Sequence, residues 1–260
     1  FSNGSVILNT GGGLDTLKVN TATSFVDEFQ IDTGSLSDSS VLNVSAGVED
    51  VAVVEGLSGS VSQLDLSRIS WDSVNGTLKL KDKNGLTLSS DLIYGGGKLV
   101  LDAHDSTLNT AGFDIVTATD QPTVAGDIVL QAKTIEVTDG TVIDASASHA
   151  DGIAGDVSFF AIDDTAKWTS GFYNVDVIRT KITVGDADIF GGDIVFEAKA
   201  DSKHYFSEND MQNWDSSLLN SIIGSTESFS LFAGVTRALS YAEIDIAEGA
   251  NISGYSVDFN

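Results

Sequence analysis

A seven-residue phrase returns along the chain: G-K-L-V-L-D-A from Gly97, G-D-I-V-L-Q-A from Gly126, G-D-V-S-F-F-A from Gly155 and G-D-I-V-F-E-A from Gly192. Weaker copies start at Gly76 (G-T-L-K-L-K-D), Glu227 (E-S-F-S-L-F-A) and, truncated, Tyr255 (Y-S-V-D-F-N). The closest spacing separates Gly76 from Gly97, and the widest separates Gly155 from Gly192. A short strand repeated at intervals of roughly 20–50 residues cannot bury its apolar face alone. It needs the copy before and the copy after, which is the condition for a solenoid.

Side chains alternate faces along a strand, so positions three and five of the phrase share one side. They are always apolar: Leu78/Leu80, Leu99/Leu101, Ile128/Leu130, Val157/Phe159, Ile194/Phe196, Phe229/Leu231 and Val257/Phe259. These are the expected inward columns. Position seven is a small inward residue at the bend, as in Ala103, Ala132, Ala161, Ala198 and Ala233. The glycine at position one suits a corner with positive φ. Positions four and six, including Phe160 and Phe232, should face outward. A second apolar set follows with shared spacing: Ile135, Val137, Gly140, Ile143 and Ile244, Ile246, Gly249, Ile252, with Ile182, Val184 and Ile189 one position shorter. Each turn therefore holds at least two inward-facing strands joined at glycine corners. Stacking such turns in parallel predicts an all-β fold, a parallel β-helix. Turns as long as those from Gly97 to Gly126 and from Gly126 to Gly155 exceed what a left-handed hexapeptide helix uses, so the right-handed form is expected.

The stretch 1–75 is less regular. Apolar-x-apolar dyads start at Val6, Leu17, Phe29, Leu42, Val51 and Leu64 before Leu78, about half a turn apart. They predict irregular turns of the same solenoid, the alternative being a small separate β unit, with the regular β-helix over 76–260. Two insertions are expected, near 163–175 (Trp168, Phe172, Tyr173) and near 201–224. In the second, Ser207 as N-cap, apolar Met211, Trp214, Leu218 and Ile222 on one face, and Gly224 as a stop predict a short helix over 207–223. Packing against the outward phenylalanines is one role for these aromatics. Forming a carbohydrate- or partner-binding platform at Trp168, Phe172, Tyr173 and Trp214 is the other.

Thirty-eight acidic residues against 13 basic ones leave a net charge of −25. Nucleic acid and anionic membrane are repelled by such a surface, while cations are attracted. With no cysteine, disulfides and thiolate chemistry are excluded. No apolar run reaches the roughly 18 residues that a membrane-spanning helix needs. The last phrase stops at Asn260 just after its two inward positions, so the sequence reads as part of a longer chain.

Position two of the phrase carries Asp127, Asp156 and Asp193 in successive copies, flanked by Lys98 and Ser228. Direct stacking would bring these carboxylates together along one edge, at a cost of up to roughly 1 kcal/mol per like-charged pair. Each aspartate capping a backbone N–H at its own corner would relieve this; so would a column binding calcium through oxygen. His104, His149 and His204 occupy different offsets and share no metal or triad spacing. Arg179 and Lys181 share a strand face, but neighbouring acids cannot be assigned to them.

The stretch G-D-I-V-L-Q-A-K-T-I-E-V-T-D-G-T-V-I-D-A-S-A (126–147) resembles the turns of filamentous-haemagglutinin-like giant bacterial surface adhesins. The resemblance extends over about 76–260. It implies a secreted right-handed β-helix with no enzyme activity in the shaft, partnered by other segments or copies of the same large chain or by a host or cell surface. The family's N-terminal secretion domain is not recognisable. A second stretch, T-G-G-G-L-D-T-L-K-V (10–19), is similar to one calcium-binding nonapeptide of the repeats-in-toxin type. That implies a calcium role for Asp15, although such sites require tandem copies and this one stands alone.

The functional expectation is a structural or adhesive segment of an extracellular, cell-surface bacterial protein. A carbohydrate-active β-helix enzyme is one alternative, because the same architecture hosts lyases, hydrolases and epimerases built on clustered carboxylates. A self-assembling filament or surface-layer subunit is the other.

Overall fold

Strand alternation and strand pairing organise the structure. The computed structural model describes six strands within 1–75, and residues 76–163, 175–200 and 237–260. These residues are all-β, without a helix, and every pairing between strands is parallel. One nine-stranded sheet runs the length of the fold: β1 (Val6–Asn9), β3 (Glu28–Asp32), β5 (Val51–Glu55), β7 (Thr77–Lys81), β10 (Lys98–Asp102), β13 (Ile128–Ala132), β16 (Val157–Asp163), β19 (Asp193–Ala200) and β22 (Ser256–Phe259). A second sheet stacks β8 (Leu86–Thr87), β11 (Thr107–Asn109), β14 (Thr134–Val137), β17 (Val175–Val184) and β20 (Arg237–Ile246). A third stacks β9 (Leu92–Ile93), β12 (Ile115–Val116), β15 (Val142–Asp144), β18 (Asp188–Phe190) and β21 (Asn251–Ser253). Near the N-terminus β2 (Thr16–Asn20), β4 (Val41–Ser45) and β6 (Ile69–Trp71) form a three-stranded sheet. From β7 onward the chain visits the three large sheets in rotation. This arrangement fits a β-solenoid.

The inward columns are in register. Leu78, Leu99, Ile128, Val157, Ile194 and Val257 lie side by side, and so do Leu80, Leu101, Leu130, Phe159, Phe196 and Phe259. Apart from the two in β22, all are fully buried. The phenylalanines stack face to face, with ring centroids 4.5 Å apart for Phe159–Phe196 and 5.1 Å for Phe196–Phe259. Ile135, Ile182 and Ile244 make a column in the second sheet, and Ile143, Ile189 and Ile252 make one in the third. The dyads within 1–75 alternate between the long sheet and the three-stranded one, half a turn each, from β1 to β5. The last strand of the smaller sheet is Ile69–Trp71; Leu64 lies outside the described residues.

Four expectations need correction. The phrase glycines are not in positive-φ backbone; the described glycines that are include Gly112 and Gly140, at the bend between the second and third sheets, at +82° and +81°. Gly126 and Gly155 are required by proximity: a Cβ on either would collide with the carbonyl oxygen of the phrase glycine one turn below, Gly97 or Gly126. Second, β19 pairs directly with β22, so Ile194 has Val257 as its neighbour in the long sheet. The copy at Glu227 lies outside the described residues. Third, in β5 it is Ala52 and Val54, not Val51 and Val53, that continue the inward columns of Leu78 and Leu80. V-A-V-V is apolar on both alternations, so the sequence could not choose between registers one position apart. Fourth, Asp102, at outward position six, is only 2% exposed. Trp168, Phe172, Tyr173 and the expected helix over 207–223 with Trp214 lie outside the described residues.

Candidate functional site

At a corner the backbone leaves the strand ladder and its N–H groups lose their regular partners. Short carboxylates supply acceptors here, and they do so across turns. Asp127 Oδ1 accepts the N–H of Asp156 at 3.1 Å, and Asp156 Oδ1 accepts that of Asp193 at 2.9 Å. Asp193 Oδ1 then accepts the Ser256 hydroxyl at 2.8 Å. The predicted column therefore exists, but each aspartate caps the next turn rather than its own corner. At other corners Asp91 accepts from Asp114 N–H, Asp114 from Val142 N–H and Asp139 from Asp186 N–H, at 2.8–3.0 Å. Six aspartates, Asp91, Asp114, Asp127, Asp139, Asp156 and Asp193, serve this axial capping. Among the described residues no three His, Asp or Glu side chains converge into a metal-binding group. Asp15 lies outside them, as do the four aromatics proposed for ligand binding.

The lysines follow the same axial logic. Lys79 Nζ reaches Asp102 at 2.9 Å, Lys98 reaches Asp127 at 3.0 Å, and Lys133 reaches Asp163 at 2.7 Å. Lys181 lies 3.2 Å from Glu243 and 3.6 Å from Asp245. In each case the cation sits one turn before the acid, so four successive interfaces each carry one clasp. Two of the acids, Asp102 and Asp163, are essentially buried. Burial alone would raise the Asp102 pKa, but the hydrogen bonds from Lys79 and from the His104 N–H, with the charge of Lys79, outweigh it and hold the carboxyl below its ordinary value. The hydrogen bond to Glu243 leads in raising the Lys181 pKa, with Asp245 adding to it. Burial alone pushes the Tyr94 phenol up to about 12.

Asp102 also binds His104, whose Nδ1 lies 3.0 Å from Oδ1 and whose backbone N–H donates to the same oxygen. His104 has a φ of 51°, uncommon for a non-glycine residue. His149 sits 4.0 Å from Asp151, well away from that corner in sequence and register. Arg179, whose partners the sequence could not supply, lies over the Tyr241 ring at 5.2 Å, and its neighbour Lys181 takes the two acids of β20. Sequence reasoning missed the Lys79–Asp102–His104 and Lys133–Asp163 groups. The signal was available for both: once the phrase copies are aligned, Asp102 falls two positions beyond the partner of Lys79 and Asp163 one position beyond the counterpart of Lys133, each within reach of a long side chain.

The described surface also carries a ledge. After the third sheet, two consecutive turns make long excursions, 117–127 and 145–156, joined by parallel bridges Thr119↔Ala147 and Val124↔Ile153. The turn after them closes the same corner with Gly191 and Gly192 between β18 and β19. Among the described residues no helix is long and apolar enough to cross a membrane. No protein-family model matches the chain, and searches of curated proteins and of solved structures return no match.

Proposed function

We propose that this chain is a rigid, right-handed β-solenoid shaft belonging to a large bacterial cell-surface protein, with a structural and adhesive role. The observation that carries the reading is the nine-strand parallel sheet, along which, from β7 onward, inward side chains, corner carboxylates and lysines connect one turn to the next. Such a body resists bending and presents its flanks to partners. Nine strands spaced about 4.8 Å apart span roughly 40 Å along the axis. Right-handedness is supported by the strong preference of parallel strand–connection–strand units for that hand. The resemblance of 126–147 to surface-adhesin turns supplies the location, and the net charge of −25 supports solubility outside the cell.

Antibodies raised against the purified chain are expected to label intact producing cells. Signal only after permeabilisation would refute the surface location. A crystal structure in which the chain advances with the opposite hand would refute the solenoid type.

A further inference from the structure

The charges are sorted between flanks. The third sheet and the corners on either side of it comprise 88–98, 110–127, 138–156, 185–193 and 247–256. These stretches carry one, three, four, three and one carboxylates, twelve in all, against a single basic side chain, Lys98, which is paired with Asp127. From β7 onward the described lysines and arginines lie instead along the other two large sheets and their shared corner, apart from Lys98 at the start of β10. On this acidic flank three aliphatic side chains face water: Ile93 on β9, 66% exposed, and Val124 and Ile153 on the ledge, at 54% and 57%. The last two are bridge partners and so stand side by side.

A second copy of this chain does not fit that surface. Both copies would carry −25, and Lys79, Lys98, Lys133 and Lys181 are already engaged with carboxylates of their own chain. An anionic lipid surface is repelled by the same charge. A purely ionic polycation would leave the aliphatic groups uncovered. We infer that the flank formed by the third sheet and its ledge docks a basic, amphipathic segment of another protein, its cations facing the corner aspartates and its apolar residues covering Val124, Ile153 and Ile93. This deepens the shaft reading by naming the partner of one flank, and rests on it only for context.

The test uses the full chain and two labelled peptides of five helical turns, one of leucine and lysine in amphipathic helical order and one with every leucine replaced by serine. Binding is read by fluorescence anisotropy at about 0.15 M salt, where long-range attraction is screened beyond about 8 Å. The leucine-containing peptide is expected to bind the parent protein. Joint Val124→Ser and Ile153→Ser should weaken it about tenfold, the scale expected for losing two partly buried aliphatic contacts. Ile93→Lys, on a different strand, should weaken it as well, so the result does not hang on one variant. Tyr241→Ser, on the second sheet, should leave binding unchanged. Equal binding of the serine peptide, or unchanged affinity in both flank variants, would overturn the proposal. Neither result bears on the cell-surface labelling that tests the shaft.

Discussion

Substituting one bend glycine and one phrase glycine separates two reasons for glycine that a sequence cannot distinguish. At Gly140 the φ is +81° and an added Cβ would meet nothing within 4 Å. At Gly155, outside the positive-φ region, it would collide with the Gly126 carbonyl oxygen and lie 2.6 Å from the Gly126 carbonyl carbon and 2.8 Å from the Ala125 oxygen. Those neighbours are backbone and cannot rotate away. Gly140→Ala should therefore cost about 1–2 kcal/mol, the left-handed penalty for a residue with a Cβ. Gly140→Asn should cost less, since asparagine tolerates that region. Gly155→Ala should cost about 3 kcal/mol, the upper end of overpacking, because two stacked turns must part. Gly155→Asn should be worse still. For a chain of this size, about 3 kcal/mol lowers Tm by roughly 6–12 °C. Thermal melts followed by circular dichroism read all four variants. Should asparagine be tolerated equally at both positions, or Gly155→Ala melt with the parent, close approach between turns would not be the reason for the glycine.

Three further outcomes follow from the clasps and caps. Lys133→Met leaves Asp163 buried without its cation and should cost about 3–5 kcal/mol by chemical denaturation, with Asp163→Leu added on top recovering most of it. The folded pKa of Asp102 lies below its unfolded value, so its contribution is complete above about pH 4 and is lost as pH falls through the folded pKa. Asp102→Asn should accordingly flatten the acid limb of a stability–pH curve, and an unchanged limb would count against the Lys79 clasp. Asp156→Ala removes the acceptor for Asp193 N–H and should cost about 1 kcal/mol, whereas Asp156→Asn keeps an acceptor oxygen and should cost less. If asparagine proved as damaging as alanine and a chelator lowered Tm, the column would be a calcium site instead.

The inward columns were legible because apolar alternation survives in every described copy, and Ile135, Val137, Gly140 and Ile143 recur at fixed spacing in Ile244, Ile246, Gly249 and Ile252. The two sets align as predicted. What stayed hidden depends on contact between turns. The burial of Asp102, the reach of Lys133 to Asp163 and the crowding at Gly155 arise only once neighbouring turns are in register. Local spacing also suggested a turn ending at Glu227, where pairing instead joins Ile194 to Val257.

The corner bonds also determine where the shaft could be lengthened. At the aspartate corner the rule repeats, since Asp127 and Asp156 each hold the following backbone. A duplicated 126–154 would find its Asp127 N–H accepted by the original Asp127 and its own carboxylate ready for Asp156. At the opposite corner the rule does not repeat, because only one Asp163 exists to receive Lys133. Growth by copying whole coils is therefore free on one edge and leaves an orphan ammonium on the other, so each added coil would have to carry its own compensating change.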